Sequence, residues 1–332
     1  MRKIAMLTSG GDAPGMNACI RAIVLTSLRY GLEVYGYKHG YNGLLEQEYL
    51  NLRASNVTNI IQRGGTILRS ARCLTFMSDD AARLAAKNLD ALGIEALLVI
   101  GGDGSFRGAH HLSQHWQGQV IGLPGTIDND IYGTDATIGY YTAIETALDS
   151  IDKVRDTADA FERIFLIEVM GRNAGFIGLN AAIASGADQV MVPELTRSCE
   201  DELKNIIDHI DAVKRRRGNN SYIVVITENL WPQGVTQLAQ TLTEETEIEC
   251  RPVILGHVQR GGSPVSQDRV LATKMGAYAV EAALEGKSGV MVAEVNQQLS
   301  CCPLETSWQT QKALDPYLVK IQQDLFDLLK RP

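Results

Sequence analysis

The chain has 332 residues, 45% of them hydrophobic, which is enough to bury more than one core and favours two α/β domains. Its formal net charge of -8 excludes a general nucleic-acid binder, because such a protein needs a net basic face to displace counterions from phosphates. No apolar stretch approaches the length of a membrane span, and the six cysteines form no C-x-x-C pair. We therefore predict a cytoplasmic protein with reduced thiols and no membrane partner.

Short apolar runs typical of buried parallel strands recur along the chain. They lie at Ile4–Leu7, Leu97–Ile100, Val120–Leu123, Ile164–Val169, Ile223–Ile226 and Val290–Ala293. Helix-length segments separate them, which predicts repeated βαβ units. In such sheets ligands bind beyond the carboxyl ends of the strands, where most of these runs continue into Gly, Asp, Thr or Glu.

The expected fold class is α/β, with two three-layer α/β/α domains and mainly parallel sheets. No linker marks a boundary, so we place the domains at residues 1–138 and 139–310, with a return crossing near 251–305. Apolar residues at helical spacing predict one long helix over Gly139–Phe161. A closing amphipathic helix is predicted over Leu314–Leu329, within a C-terminal segment 311–332.

The first glycine-rich segment, Thr8–Asn17, lies between a predicted strand and a predicted helix. Gly10 and Gly11 let the backbone approach a phosphate closely, and the helix start behind them supplies N–H groups and a positive dipole end. A tight turn without a ligand is an equally good interpretation of this segment alone.

A second such segment, Gly101–Ser105, follows the run Leu97–Ile100. An aspartate among glycines can present its carboxylate to Mg²⁺ while the flanking N–H groups face phosphate oxygens, as phosphoryl transfer requires. The segment therefore indicates nucleotide binding but does not identify the second substrate.

The third segment, Pro124–Asp130, carries Asp128 and Asp130 two residues apart. In an extended loop these carboxylates point the same way and can serve one centre as base and metal ligand, with Thr126 offering a hydroxyl to a phosphate. The alternative is a solvated acidic turn.

Together, these three segments resemble the signature loops of the phosphofructokinase family, and the match continues through Val169–Arg172, Ile226–Glu228 and Leu255–Pro264 in the family order. The resemblance, which is to the bacterial ATP-dependent members, covers about residues 1–295. It implies a 6-phosphofructokinase that moves the γ-phosphoryl group of Mg-ATP onto the 1-hydroxyl of fructose 6-phosphate, giving fructose 1,6-bisphosphate and ADP.

The resemblance also implies roles at matching positions. Residues 1–138 would bind ATP through Gly11, Tyr41, Arg72, Cys73, Gly102, Asp103, Gly104, Ser105 and Gly108. Asp103 and Asp130 would hold Mg²⁺, and Asp128 would take the proton from the sugar hydroxyl. Thr126 would touch the transferring phosphoryl group, whose developing charge Arg72 and Arg172 would neutralise.

Residues 139–310 would bind the sugar phosphate. Together with Thr126 and Asp128 of the first domain, the implied contacts are Arg163, Met170, Gly171, Arg172, Glu228, Arg251, His257 and Arg260. Arg163 and Arg251 would reach the 6-phosphate from a neighbouring subunit, which implies a homotetramer with shared active sites. Taken singly, Arg163 could instead cap a helix and Glu228 could be an ordinary strand-end carboxylate.

Two small residues favour ATP over pyrophosphate, since Gly104 and Gly125 leave room beyond the transferring phosphate where pyrophosphate-using relatives carry Asp and Lys. A pyrophosphate-dependent enzyme or another sugar-phosphate kinase remains the first alternative. A non-catalytic nucleotide-sensing subunit is the second, but it would be expected to lack Asp128, Asp103 or Arg172. Met77 replaces an arginine that many relatives use to contact the nucleotide.

An effector site for ADP and phosphoenolpyruvate is implied only in part. The matching residues are Arg21, Arg155, Gly186, Asp188, Arg217 and Gly218. Relatives carry cations where this chain has Leu25, Ala54, Asn219 and Asn220, so we predict weak responses to both effectors.

Histidines at positions 110, 111 and 115 include an i, i+4 pair that could bind a metal on a helix, but we expect them to be solvated.

Overall fold

The computed structural model describes residues 1–196, 198–218 and 221–330. The first part of the chain alternates strands and helices: β1 (Lys3–Thr8), α1 (Met16–Arg29), β2 (Glu33–Tyr37), α2 (Tyr41–Glu46), β3 (Tyr49–Leu52), α3 (Asp79–Leu92), β4 (Ala96–Gly101), α4 (Asp103–Ser113), β5 (Gln119–Pro124) and α5 (Tyr140–Phe161). The alternation continues through β6 (Ile164–Val169), α6 (Phe176–Ser185), β7 (Gln189–Met191), α7 (Cys199–Arg217), β8 (Tyr222–Thr227), α8 (Gly234–Thr246) and β9 (Cys250–Ile254). The chain then forms α9 (Ser266–Leu284), β10 (Val290–Val295), β11 (Gln298–Pro303), α10 (Thr306–Gln309) and α11 (Pro316–Lys330).

One compact unit comprises Met1–Ile127, Ile131–Thr142 and Arg260–Lys312. Within the described residues its sheet has seven strands in the order β11-β10-β5-β4-β1-β2-β3. The five central strands are parallel. At the two edges, β3 pairs antiparallel with β2, and β11 pairs antiparallel with β10. Helices α1 and α9 pack closely because Gly276 has no side chain; a Cβ there would lie 2.7 Å from the Cys19 carbonyl oxygen.

The second unit comprises Asp128–Asp130, Ala143–Gln259 and the segment from Ala313 onwards. As far as the chain is described, its sheet has four parallel strands in the order β7-β8-β6-β9. Pro252 lies on the edge strand β9, where a missing backbone N–H costs least. The closing helix α11 packs against α6 and α7.

The structure confirms the α/β class and the mainly parallel sheets. Each predicted apolar run forms a strand, and the long helix begins at Tyr140, one residue after its predicted start.

The prediction gave residues 139–310 to the second domain with a return crossing near 251–305, and the chain re-enters the first unit at Arg260. Residues 260–312 belong to the first unit because β10 pairs in parallel with β5, at Val290↔Ile121. Residues 313 onwards belong to the second unit instead of forming a separate segment. In the part of the chain that is described, no helix is both long and apolar enough to cross a bilayer.

Candidate active site

The start of α4 brings the first two glycine-rich segments together in the first unit. Gly101 ends β4, Gly102 is the N-cap, and Asp103 is the first helical residue. A Cβ on Gly101 would lie 2.5 Å from Ser105 Oγ and 2.6 Å from the Ser9 carbonyl oxygen, so only glycine permits this approach. The first turn of α4, whose N–H groups lack helical acceptors, therefore lies beside the turn that follows β1.

Tyr41 supports α4 from within the core. Its side chain is buried, and its hydroxyl donates a hydrogen bond of 2.6 Å to the Ser105 carbonyl oxygen. The ring stacks on Phe76 with centroids 4.0 Å apart, and a Cβ on Gly108 would lie 3.0 Å from it. Burial raises the pKa of Tyr41 above its ordinary value, so the phenol stays a neutral hydrogen-bond donor.

Residues of α1 and the glycine loop hold the segment that leads to Arg72 and Cys73. Asn17 Nδ2 donates to the Arg63 and Gly64 carbonyl oxygens, both at 3.1 Å, and Asn17 Oδ1 accepts from the Ile67 N–H at 2.8 Å. Ser70 Oγ donates to the Gly10 carbonyl oxygen at 2.7 Å. Sequence reasoning gave Asn17 and Ser70 no role, although Asn17 lies within the first glycine-rich segment.

The segment after β5 is not the extended loop that we expected. Asn129 has φ = +54°, in the left-handed region that asparagine tolerates better than most residues. The rule that residues i and i+2 share one side therefore does not apply to Asp128 and Asp130. Asp128 is only 6% exposed, and Thr126 is fixed by a hydrogen bond of 2.6 Å from Thr137 Oγ1 to its carbonyl oxygen.

Gly104 and Gly125 have different surroundings. A Cβ on Gly104 would meet nothing within 4 Å, so this position opens onto free space. A Cβ on Gly125 would lie 2.9 Å from Ile100 Cγ2 and 3.2 Å from Met16 Cε. Core packing alone therefore explains the glycine at 125, and the expected open space is found at Gly104.

Arg260, which the resemblance assigned to the sugar 6-phosphate, belongs to the first unit. Its Nη1 donates to the Asp12 carbonyl oxygen at 3.3 Å. A Cβ on Gly11 would lie 2.7 Å from the same Nη1. The guanidinium thus covers the loop that the resemblance assigned to ATP.

In the second unit, the turn after β6 meets the end of β8. These strands are parallel neighbours with Val169 opposite Thr227, so their carboxyl ends share one edge. Gly171 has φ = +153°, and a Cβ there would lie 2.3 Å from the Ala174 carbonyl oxygen. Arg172 also has a positive φ, of +58°.

Two side chains hold this turn. Glu228 Oε1 accepts from the N–H groups of Gly171 and Arg172 at 3.3 and 2.9 Å. The buried Gln259 accepts from the Met170 N–H at 2.7 Å and donates to the Ala143 carbonyl oxygen at 3.4 Å. Glu228 is thus more than an ordinary strand-end carboxylate, and Gln259 is a positioning residue that sequence reasoning missed.

Arg163 and Arg251 converge on one carboxylate, because both form ion pairs with Glu249. The Arg163 guanidinium also lies 4.4 Å from the centroid of the Phe161 ring. Arg163 and Glu249 border an open pocket of about 550 Å³, lined by Ala160, Phe161, Glu162, Arg163, Glu247, Ile248 and Glu249. His257 is exposed in the turn Gly256–Arg260.

The structure divides the predicted effector residues between the two units. Arg155 Nη2 donates to the carbonyl oxygens of Ser185 and Gly186 at 2.8 and 3.1 Å, and so caps the end of α6. Asp188 is buried and accepts from the Ile223 N–H at 2.8 Å. Gly218 is the C-cap of α7, and Arg21 lies on α1 in the first unit.

The side chain of Arg217, together with Asn219 and Asn220, lies outside the described residues.

Both units are α/β folds with mainly parallel sheets and polar groups beyond the carboxyl ends of their strands, which is where α/β enzymes bind their ligands. A family model described as Phosphofructokinase matches residues 3–283. The chain belongs to the phosphofructokinase family, which confirms the resemblance found in the sequence.

Individual relatives agree with this assignment. The chain is 47% identical over 325 residues to ATP-dependent 6-phosphofructokinase 1 of Thermus thermophilus, covering 98% of this chain and 99% of that one. It is 45% identical over 323 residues to ATP-dependent 6-phosphofructokinase 2 of Bacteroides thetaiotaomicron, covering 97% and 98% of the two chains. Phosphofructokinase from Saccharomyces cerevisiae superimposes with a TM-score of 0.87 at 32% identity, over 99% of this chain and 48% of the yeast chain.

A pyrophosphate-dependent phosphofructokinase from Marinobacter aquaeolei shares the fold, with a TM-score of 0.84 at 20% identity over 99% of this chain and 91% of that chain.

Proposed function

We propose that this protein is an ATP-dependent 6-phosphofructokinase, which transfers the γ-phosphoryl group of ATP to the 1-hydroxyl of fructose 6-phosphate. The observation that carries the proposal is the start of α4, where open space at Gly104 adjoins a helix N-terminus and the carboxylate of Asp103. This arrangement suits a nucleoside triphosphate such as ATP better than the smaller phosphoryl donor pyrophosphate. Near full-length similarity to relatives named as ATP-dependent enzymes supports it.

In the proposed reaction, the chain supplies position and charge. Buried Asp128 accepts the proton of the sugar 1-hydroxyl as the oxygen attacks phosphorus. Thr126 contacts the transferring group, and Arg72 and Arg172 stabilise its equatorial oxygens. The positive φ of Arg172, held by Glu228, fixes the start of that side chain before the substrate binds.

Asp103 and Asp130 are the proposed Mg²⁺ ligands. Carboxylate oxygens are the donors that this hard cation prefers, and Asp103 lies in the first turn of α4. An Mg²⁺ ion held by these carboxylates would offset the negative charge of the phosphate groups.

Proposed nucleotide contacts in the first unit come from the α4 start, the Gly10–Gly11 turn and the segment at Arg72. The proposed sugar-phosphate contacts are those predicted above, with Met170, Gly171 and Glu228 at the sugar and Arg163, Arg251, His257 and Arg260 at the 6-phosphate. Forked guanidiniums suit a phosphate dianion, and Glu249 already holds two of them together.

A coupled assay for fructose 1,6-bisphosphate, run with Mg-ATP and then with Mg-pyrophosphate, tests the donor. We expect turnover with ATP and at least about 100-fold less with pyrophosphate, since Gly104 carries no group that fills the nucleotide space. Turnover with pyrophosphate alone would contradict the proposal. Absence of turnover with either donor would instead favour a nucleotide-sensing subunit.

We also propose a homotetramer in which Arg163 and Arg251 act on a neighbouring subunit's substrate. Inactive Asp128→Asn subunits mixed with inactive Arg163→Ala subunits would then form some complete sites and regain activity. No recovery, after subunit exchange has been shown, would mean that each subunit is self-sufficient.

The six cysteines are all free, including adjacent Cys301 and Cys302, which fits the proposed location in the reducing cytoplasm.

A further inference from the structure

Three potential metal ligands converge where α3 begins and α4 ends, outside the candidate active site. Asp79 is the first residue of α3, His111 lies in the last turn of α4, and His115 lies two residues beyond the end of α4 at Ser113. One ligand atom from each lies within 4.8 Å of the other two. The two histidine side chains are only 17% and 16% exposed, so the expectation that they are solvated is wrong.

The distances in this cluster are those of ligands that share an ion. Asp79 Oδ1 lies 3.6 Å from His111 Nε2 and 3.4 Å from His115 Nε2. Both exceed the ~2.7–3.2 Å of an N–H···O hydrogen bond. Ligands around a tetrahedral ion with bonds of ~2.0–2.1 Å lie about 3.3–3.4 Å apart, which is close to both distances.

Two further observations point to a ligand. His111 Nε2 is buried and has no hydrogen-bond partner among the described residues, a costly state for a ring nitrogen. The other carboxylate oxygen of Asp79 accepts from Arg83 Nη2 at 3.2 Å, which holds Oδ1 toward the histidines. Such outer contacts orient ligating carboxylates in metal sites.

We propose that Asp79, His111 and His115 bind a divalent transition-metal ion such as Zn²⁺, with solvent completing the coordination. Two imidazoles and one carboxylate favour Zn²⁺, Co²⁺ or Ni²⁺ over Mg²⁺, which prefers oxygen ligands. The ion ties the first turn of α3 to the last turn of α4. It also restrains the turn Leu74–Met77, which directly precedes α3 and follows Arg72 and Cys73.

Metal binding by the intact protein tests the proposal. After treatment with a chelator and dialysis, wild type and variants are titrated with Zn²⁺ by calorimetry and with Co²⁺ by visible absorption. We expect wild type to bind one more ion per subunit than His115→Ala, whose affinity at this site falls by at least about 100-fold. Ions bound by cysteines or by the active-site carboxylates appear in both proteins and cancel in the difference.

His110→Ala is the matched control, because His110 lies on α4 but pairs with Glu305, with Nδ1 3.1 Å from Oε1. It should keep the extra ion. Equal stoichiometry and affinity in wild type, His115→Ala and Asp79→Asn would overturn the proposal and leave only an ion pair that depends on histidine protonation. If His115→Ala does not fold, His115→Gln provides the same comparison with a side chain of similar bulk.

Discussion

The turns at the carboxyl ends of the strands are stabilised differently in the two units. At the start of α4 the first unit relies on backbone and on glycine, since Ser105 and the Ser9 carbonyl oxygen both lie close to Gly101. The turn after β6 in the second unit is held by side chains, since Glu228 and Gln259 accept the N–H groups of residues 170 to 172. The turn in the first unit is therefore sensitive to bulk at Gly101, whereas the turn in the second depends on the hydrogen bonds of Glu228 and Gln259.

Asp128 belongs to neither type of turn, and its loss should have the largest effect. Asp128→Asn removes the proposed base but keeps the shape, so kcat should fall by about 10² to 10⁴. Binding of fructose 6-phosphate and ATP, measured separately by equilibrium titration, should change little. A variant that keeps more than a tenth of the wild-type kcat would rule out Asp128 as the base.

Gly171→Ala tests the turn in the second unit. The new Cβ would lie 2.3 Å from the Ala174 carbonyl oxygen in a backbone with positive φ, so unfolding free energy should fall by about 2–4 kcal/mol. Because the same turn carries Arg172, the KM for fructose 6-phosphate should rise by at least about tenfold.

Gly234→Ala is its control, since Gly234 has φ = +80° but no atom within 4 Å of a Cβ. Denaturant unfolding should show a loss of only about 1–2 kcal/mol from backbone strain, with KM unchanged. Equal losses in both variants would mean that the turn after β6 is not tightly held.

Gly104→Asp tests the turn in the first unit. The side chain enters open space, so stability should be nearly unchanged. A carboxylate beside the proposed triphosphate site should weaken ATP binding by about 10- to 100-fold through like-charge repulsion.

Gly125→Ala should behave in the opposite way to Gly104→Asp. It should cost about 1–3 kcal/mol of stability through contact with Ile100 and leave ATP binding nearly intact. If Gly104→Asp instead unfolds the protein while binding ATP normally, the open space at Gly104 is not part of the nucleotide site.

The smallest effect is expected from effectors. Arg155 and Asp188 are engaged in structural hydrogen bonds. The positions where the family resemblance implies cations carry neutral residues, namely Leu25, Ala54, Asn219 and Asn220. ADP and phosphoenolpyruvate should therefore change activity by less than about fivefold at sub-saturating fructose 6-phosphate. Larger changes at micromolar concentrations would show that other residues form an effector site.

Local sequence predicted the features that depend on local chemistry. Uniformly apolar runs became buried strands because both faces of a parallel sheet are covered, and the glycine cluster after Ile100 marked the turn at Gly101. A return crossing was predicted only as a broad range, 251–305; its position at Arg260 depends on tertiary contacts such as the pairing between β10 and the distant β5.

The same limit explains what was missed in the candidate site. Glu249 gathers two arginines, and Gln259 holds a turn 89 residues away, which only tertiary structure creates. At Asn129 a local prediction failed. We expected an extended loop with Asp128 and Asp130 on one side, but asparagine is a common turn former and here has a positive φ.

The most direct test of the proposed activity follows the label from ATP labelled in its γ-phosphoryl group, incubated with fructose 6-phosphate and Mg²⁺. The label should appear on the oxygen of carbon 1 of fructose 1,6-bisphosphate with wild type, and at least about 100-fold more slowly with Asp128→Asn. Label found only in inorganic phosphate, or at another sugar oxygen, would contradict the assignment.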